Sequence, residues 1–400
     1  MPLTHSSDED EECRVLRELR DSPQILAQIQ SSQGSELALQ QILRRQYADD
    51  VVRAAIGLTQ LRKRAAGKFR LASEMWFDRQ GLEQSTAEAV ARYKAKRFNG
   101  RVWDLCCGIG SDAIALAAHC DVIAVDINPA ACIRSAWNAE VYAVANRVET
   151  RCLDVLLQTD LTGLVQIDPD RRPGSSGRVS RIEDYVPGLE FLHTLVQRCP
   201  GGAIKLSPAS NFGGKFLQAE VELISLHGEC KEATIWFGTL AREAPYRATV
   251  LPAEESIAGH PLEVLVPVAP LKQYLYDPDP AVVRAGLVDV LAHKLGLDRL
   301  DPAEEYLTSD HQVDSPFVQT FEVLANLPNN DRDLKSWLRA SEIGQLEIKC
   351  RHIPIQADSL RKKLPLTGTA PGVILFARLN GKARIIGARR PRTKPEFLKG

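Results

Sequence analysis

The chain lacks any apolar run long enough to cross a bilayer, although 44% of its 400 residues are hydrophobic. A helical integral membrane protein is therefore not expected. It also lacks a Cys-x-x-Cys pair. Its nine cysteines are an odd number, scattered along the sequence. Neither a disulfide framework nor a thiolate zinc site fits that pattern, and a reducing compartment is the simpler reading. The opening stretch, Met1 to Glu12, has no apolar segment and is polar and acidic. It does not read as a secretory signal, so a cytoplasmic location is expected. Net charge is lacking too: Lys and Arg total 50, Asp and Glu 51. The chain as a whole has no bias toward polyanions. No internal repeat is visible.

What is present is unevenly placed. From Lys335 to the end, about fifteen Lys and Arg stand against about four acids. Such a local excess fits a phosphate-binding module. A basic tail that only maintains solubility fits equally well. A chain of 400 residues is too long for one ordinary core and suggests two or three domains.

Glu11 to Gly67 reads as helical. Ile25, Leu26 and Ile29, then Leu37, Leu39, Ile42 and Leu43, recur at spacings of three and four. Ser85-Thr86-Ala87-Glu88 reads as a helix start with Ser85 as cap, running to about Phe98. From Arg101 short apolar runs alternate with helical stretches. Strands are expected at Val102–Leu105, Val122–Asp126, Val148–Cys152, Leu164–Asp168 and Ala203–Leu206, with helices at Asp112–His119 and Pro129–Ala145. That alternation means βαβ units and a parallel sheet. Glu232–Phe237 and Tyr246–Leu251 read as an antiparallel hairpin closing it, which suits a methyltransferase better than a dehydrogenase. Ala253 to Pro270 is rich in proline and reads as a junction. Beyond it, helices are expected near Pro280–Leu295 and Asp331–Ser341, and strands near Leu346–Cys350 and Val373–Leu379. The last ten residues, with Pro391 and Pro395, read as a flexible tail. The expected architecture is α/β: a Rossmann-like sheet with an N-terminal helical region (1–83), a catalytic domain (84–255), a linker (256–270) and a smaller α+β domain (271–400).

The strongest local signal is Asp104-Leu105-Cys106-Cys107-Gly108-Ile109-Gly110-Ser111-Asp112, at the end of one strand and the start of a helix. Gly108 and Gly110 let the backbone turn tightly and approach a ligand. Asp104 can meet the cationic amino end of a methionine moiety. Asp126, at the tip of the next strand, can accept from ribose hydroxyls. A dinucleotide would also fit Gly108-x-Gly110-x-x-Ala113 in its weak form. S-adenosylmethionine fits better, because Asp104 would repel a pyrophosphate. Asp154 after the third strand could accept from the adenine amine, or be a solvated loop residue. Cys106 and Cys107 fill a turn comfortably and suggest neither metal binding nor nucleophilic chemistry.

Asp168-Pro169-Asp170-Arg171-Arg172 ends the fourth strand, on the rim where ligands of open parallel sheets lie. Asp168 could orient or deprotonate an acceptor nitrogen or oxygen. Arg171 and Arg172 could hold a phosphate or polarise a base carbonyl. A turn closed by Pro169 with two solvated arginines is the alternative. Lys205-Leu206-Ser207-Pro208 ends the next strand on the same rim.

At these residues the stretch from Gln84 to about Asn211 resembles the trimethylguanosine synthase group of class I methyltransferases. The likeness lies in Ser85–Glu88, Asp104–Asp112, Val122–Pro129 and Asn138–Tyr142. The whole chain resembles a bacterial group of class I methyltransferases with a THUMP-like C-terminal domain. Tyr306–Thr308, Val313–Pro316, Leu346–Lys349 with Arg351, and Leu360–Leu364 match that domain. The resemblance implies Asp104, Gly108, Gly110 and Asp126 as S-adenosylmethionine ligands, joined by Thr86 in a lid segment (Ser85–Glu88), Asp112, Ile127 and Asp154. It implies Asp168 and Pro169 as the substrate motif, with Arg171 beside them. It implies RNA as partner, with Arg172, Arg351, Arg361, Lys362, Lys363, Arg389 and Arg390 on phosphates. No metal is expected, since the methyl group is already activated and the site mainly supplies alignment. Two departures stand out. Amine-methylating relatives carry a stacking aromatic where this chain has Asp170 and Arg171, which argues against guanine N2 methylation of a cap. Leu206 and Ser207 stand where uridine C5 methyltransferases carry a nucleophilic cysteine, which argues against covalent C5 chemistry. The expected function is methylation of a base in structured RNA, tRNA before rRNA. A small-molecule or protein methyltransferase, a non-catalytic RNA-binding protein with a cofactor pocket, and a nicotinamide oxidoreductase are the rivals.

Overall fold

The computed structural model describes residues 7–32, 35–158, 161–171 and 181–391. Among them, no helix is long and apolar enough to cross a membrane. The chain forms two compact units, Met1–Val221 with Glu232–Glu243, and Glu222–Lys231 with Ala244–Gly400.

The first unit opens with helices α1 (Ser7–Asp21), α2 (Pro23–Ser31), α3 (Glu36–Leu43), α4 (Asp49–Ala65), α5 (Arg79–Gln84) and α6 (Glu88–Ala95). Their apolar residues repeat with the helical period and turn to one side, so Ile25, Leu43, Val51, Val52 and Ala55 have no exposed surface. Strands and helices then alternate: β1 (Arg101–Leu105), α7 (Ser111–Leu116), β2 (Asp121–Asp126), α8 (Pro129–Val141), β3 (Val148–Cys152), β4 (Leu164–Ile167), β5 (Asp170–Arg171), β6 (Tyr185–Val186), α9 (Leu189–Arg198) and β7 (Gly201–Leu206). The strands β7-β4-β1-β2-β3 lie parallel in that order. β1, β2 and β4 are buried along nearly their whole length, which is why they read as short apolar runs, while β3 at the sheet edge is half-buried. After β8 (Glu220–Leu226), strand β9 (Glu229–Gly238) runs antiparallel to β7, with Gly238 opposite Gly201 and Ala233 opposite Leu206. From β1 the sheet continues to β2 on one side and β4 on the other. That reversal opens a crevice at the carboxyl ends of β1 and β4, where doubly wound sheets bind ligands.

The second unit contains the hairpin β10 (Tyr246–Leu251) and β11 (Glu255–Gly259). Then come β12 (Tyr274–Pro278), α10 (Pro280–Arg284), α11 (Val288–Leu295), β13 (Asp298–Arg299), β14 (Leu307–Ser309), β15 (Val318–Pro328), α12 (Asp331–Ala340), β16 (Ile343–Cys350), α13 (Ala357–Arg361), β17 (Ala370–Leu379) and β18 (Lys382–Arg389). Their sheet has the order β13-β14-β12-β15-β18-β17-β16, antiparallel except for β16 beside β17. Leu275, Tyr306, Phe321 and Leu375 form one core. Leu334 and Leu338 of α12 pack with Ile374, Phe376 and Ile385 in another. The mixed α/β architecture expected from the sequence is present in both units.

Several local expectations are corrected. Ser85 does not cap α6, which starts at Glu88 with Ala87 at its N-cap. The Ser85 hydroxyl donates to Leu82 O at 3.1 Å, and the Glu88 carboxylate accepts from the Arg70 N–H at 2.8 Å. Distant partners outcompete the local capping box. The helix ends at Ala95 rather than near Phe98. β9 and β10 are not partners: β9 pairs with β7, and β10 pairs with β11, which lies in the proline-rich stretch read as junction. The helix expected over 280–295 breaks into α10 and α11 at Gly286, whose φ of 71° is left-handed. Arg172 and the tail beyond Pro391 lie outside the described residues.

One buried side chain ties three segments of the first unit. Asn138 of α8 donates to Trp76 O at 3.0 Å and to Ile109 O at 2.9 Å, and accepts from the Trp76 N–H at 2.7 Å. Asn138→Ala strands those backbone groups away from water. The expected cost is about 3 kcal/mol, which lowers Tm by roughly 6–12 °C. Thermal unfolding followed by circular dichroism reads this directly, and an unchanged Tm would show that the bridge does not hold the layer.

Candidate active site

The crevice holds a cavity of about 330 Å³, within the size range of small-molecule sites. Its wall includes Asp104, Gly108, Asp112, Asp126, Ile127, Asp154 and Asp168. The segment from β1 to α7 forms the floor. Gly108 has a φ of 54°, and a Cβ there would meet no atom within 4 Å. Its backbone is therefore bare toward the cavity. Gly110 caps α7 at a φ of 82°, and a Cβ would press on Ser135 Oγ at 2.5 Å. Only glycine serves there, since α8 passes too close.

Asp126 at the end of β2 holds this floor from the neighbouring strand. Its Oδ2 accepts from the Gly108 N–H at 2.8 Å and its Oδ1 from the Asn128 N–H at 2.9 Å. Burial raises its pKa, and those backbone donors oppose the shift. Ile127, 55% exposed, offers an apolar side chain beside it. Asp154 lines the cavity too, with Oδ1 occupied by the Leu156 N–H at 2.9 Å.

Asp104 is 1% exposed, and its Oδ2 has no hydrogen-bond partner. Burial first, then the charges of Asp112 and Asp168, push its pKa well above the ordinary carboxylate range. A buried carboxylate in this state calls for a cation. The amino group of S-adenosylmethionine is such a cation, so the residues present fit that cofactor. They do not fit a pyrophosphate.

Beneath this wall runs a chain of buried charges. Lys94 of α6 reaches Asp112 Oδ1 at 2.9 Å and Glu232 Oε1 at 3.0 Å. Burial works against its charge, and those carboxylates outweigh it. Asp112 also accepts from Thr86 Oγ1 at 2.6 Å, so Thr86 is buried behind the wall. Burial would raise the Asp112 pKa, but Lys94 and Lys205 hold it below the usual value. Lys205 of β7 donates to Asp168 Oδ2 at 2.6 Å and to Gln84 O at 3.1 Å. Burial raises the Asp168 pKa to about 6, against the opposing pull of Lys205. Pro169 is buried behind Asp168, Asp170 lines the rim, and β5 is held by β6. Of Arg171 only the backbone, within β5, is described. Tyr185 does not replace the missing aromatic, because its ring is buried and its hydroxyl accepts from the Ser207 N–H at 3.1 Å. Burial pushes the Cys106 and Cys107 thiols up, so neither is a thiolate near neutral pH.

Sequence reasoning missed part of the wall. Glu12 of α1 and Arg134 of α8 both line the cavity and meet at 2.5 Å, with Asp78 3.7 Å from Arg134. Lys94 and Glu232 were missed as well. No local motif marks any of them, since their partners are remote in sequence. The basic residues expected on RNA lie in the second unit. Arg351 pairs with Asp277 at 2.5 Å, Arg389 with Glu322 at 2.8 Å, Arg390 with Glu347 at 3.0 Å and Arg361 with Asp358 at 3.3 Å. Lys362 and Lys363 are exposed.

This sheet order, glycine floor and acidic wall define a class I methyltransferase. The comparisons agree. Residues 99–171 match the family model described as RNA cap guanine-N2 methyltransferase, and residues 318–390 match THUMP domain-like. An uncharacterized S-adenosylmethionine-dependent methyltransferase of Mycobacterium tuberculosis, found in two strains, is 34% identical over 336 residues, covering 80% of this chain and 91% of its own. A crystal structure of a methyltransferase from Porphyromonas gingivalis W83 superposes with a TM-score of 0.73 and 21% identity, over 96% of this chain and 99% of that one, and shares the fold. The chain belongs to the family of S-adenosylmethionine-dependent methyltransferases represented by the mycobacterial protein.

Asp104→Asn keeps the shape of the site and removes the charge. It is expected to weaken S-adenosylhomocysteine binding about 10–100-fold, the worth of one charge-assisted hydrogen bond. Calorimetric titration measures this. Equal affinity would remove Asp104 from the amino-group site.

Proposed function

We propose that this methyltransferase modifies a base in structured RNA, tRNA rather than rRNA, and acts in the cytoplasm. The observation that carries the reading is Asp168. It stands in the same cavity wall as Asp104, Gly108 and Asp126, at the carboxyl end of β4. Lys205 fixes its Oδ2, leaving Oδ1 to accept from an N–H or O–H of the acceptor. S-adenosylmethionine, when bound, supplies a methyl group already activated on a sulfonium. Asp104 then pairs with its amino group, the Gly108 backbone admits its close approach, and Asp126 accepts from its ribose. Ile127 and Asp154 flank the adenine side. Asp168 orients the acceptor and takes its proton, while Lys205 keeps the carboxylate in place.

Two observations support RNA as the acceptor. The matched guanine-N2 methyltransferase stretch contains Asp104, Asp126 and Asp168. The matched THUMP domain-like stretch contains Arg351, Arg361, Lys362, Lys363, Arg389 and Arg390, which we place on phosphates. Arg171 and Arg172 stand three and four residues after Asp168 in the sequence and would hold the nucleotide.

The test is transfer of labelled methyl to bulk tRNA and rRNA from cells lacking the protein, at two salt concentrations. Label is expected in tRNA, and less of it at high salt. Asp168 acts as a carboxylate, so the rate falls as pH drops through about 6. Asp168→Asn should slow transfer by about 10²–10⁴-fold and remove that inflection. Cofactor binding without label in any RNA would move the acceptor to protein or a small molecule.

A further inference from the structure

In the second unit, the loop between β13 and β14 meets the chain just after β16. Glu304 and Glu305 lie in the loop, and His352 lies beyond Cys350. Carboxylate oxygens of both glutamates and an imidazole nitrogen lie within 4.8 Å of one another. Glu304 is 1% exposed. Its Oε1 accepts from the Arg378 N–H at 2.8 Å, while its buried Oε2 has no hydrogen-bond partner. Glu305 Oε2 lies 2.7 Å from His352 Nε2. An orphaned buried carboxylate oxygen needs a donor or a cation, and none of the described protein groups supplies one.

The loop is held in shape by its own bonds. The Leu300 N–H donates to Tyr306 O at 3.1 Å, closing it. Asp301 accepts from the Ala303 N–H at 2.9 Å and the Gly381 N–H at 2.8 Å. Of the cations around the cluster, Arg351 is turned to Asp277 at 2.5 Å, Arg299 to Asp289 at 2.8 Å and to Glu304 O at 2.6 Å, and Arg378 meets Glu304 through its backbone N–H and its charge. They do not fill the cluster.

We infer that Glu304, Glu305 and His352 form a site for a divalent first-row metal ion, for which Zn²⁺ is the suitable probe. Two carboxylate oxygens and one imidazole nitrogen are a donor set such ions accept, with water completing the shell. His352 Nε2 binds as a neutral imidazole, so any proton it shares with Glu305 leaves to solvent. The bound ion links the loop before β14 to the segment after β16.

The experiment uses the full chain, stripped of metal, titrated with Zn²⁺ by calorimetry and with Co²⁺ by absorption. The wild type is expected to take up one equivalent that His352→Ala and Glu304→Gln bind about 10–100-fold more weakly. His352 is exposed, so His352→Ala tests the site without disturbing the core. The Co²⁺ form should show ligand-field bands without thiolate charge transfer. Equal uptake by wild type and both variants, no uptake at all, or a thiolate spectrum that persists in His352→Ala as the only signal would each overturn the site.

Discussion

The carboxylates of Asp104, Asp112 and Asp168 line one cavity, with Glu232 behind them, and among the described residues the ammonium groups of Lys94 and Lys205 pair with Asp112, Glu232 and Asp168. The rest of the first unit is arranged around that imbalance. Lys94 draws α6 onto α7 and β9. Lys205 draws the Gln84 carbonyl over the carboxyl end of β7. Thr86 closes on Asp112. Buried ion pairs of this kind add little net stability, because desolvation offsets their attraction. What they provide is placement: Lys94 is drawn toward Asp112 and Glu232, and Lys205 toward Asp168. The carboxylates still outnumber the ammonium groups, and the deficit is concentrated at Asp104, whose Oδ2 is orphaned. A cationic ligand would complete the network, and the same charges that place these elements are those we propose for holding the cofactor's amino group.

This explains what could be read from the chain beforehand. The stretch Asp104 to Asp112 and the carboxylate Asp126 were legible because one tight turn and the adjacent strand fix their geometry. Alternating strands and helices were legible because both sheet faces are covered. Lys94, Glu232, Glu12 and Arg134 were not, since no local spacing links a residue of α1 to one of α8 122 positions away. Ser85 misled for a related reason. Its sequence fits a capping box, but Glu88 is taken by the Arg70 N–H and by the Tyr142 hydroxyl. β11 was missed because prolines around it mask a short strand.

Charge counting had a different weakness. The C-terminal excess of Lys and Arg is real, yet strand pairing sets Arg389 directly opposite Glu322, and Arg390 reaches Glu347. A composition count cannot see such pairs. Each neutralised arginine contributes less to long-range attraction of a polyanion than its formal charge suggests. The lysines at 362 and 363, next to α13, weigh more in that field than the strand arginines.

The rim of the cavity constrains how an acceptor can lie. The resemblance to amine-methylating enzymes implies an aromatic ring just after the acidic motif, and here Asp170 and Arg171 stand there instead. Tyr185 lies opposite Arg171 across β5 and β6, but its ring is buried and its hydroxyl is held by Ser207 and Ser210. Val186 and Pro187 line the rim in its stead. In the reading proposed above, an acceptor would be positioned by hydrogen bonds at its edge and by apolar contact, without a stacked ring to fix its plane. Alignment of nucleophile and methyl group is the main demand of this chemistry. In the reaction proposed above, the Asp168–Lys205 pair would take on more of that task than it would beside a stacking residue. A carboxylate whose pKa lies at about 6 is suited to it, because it is ionised at neutral pH and still basic enough to receive a proton.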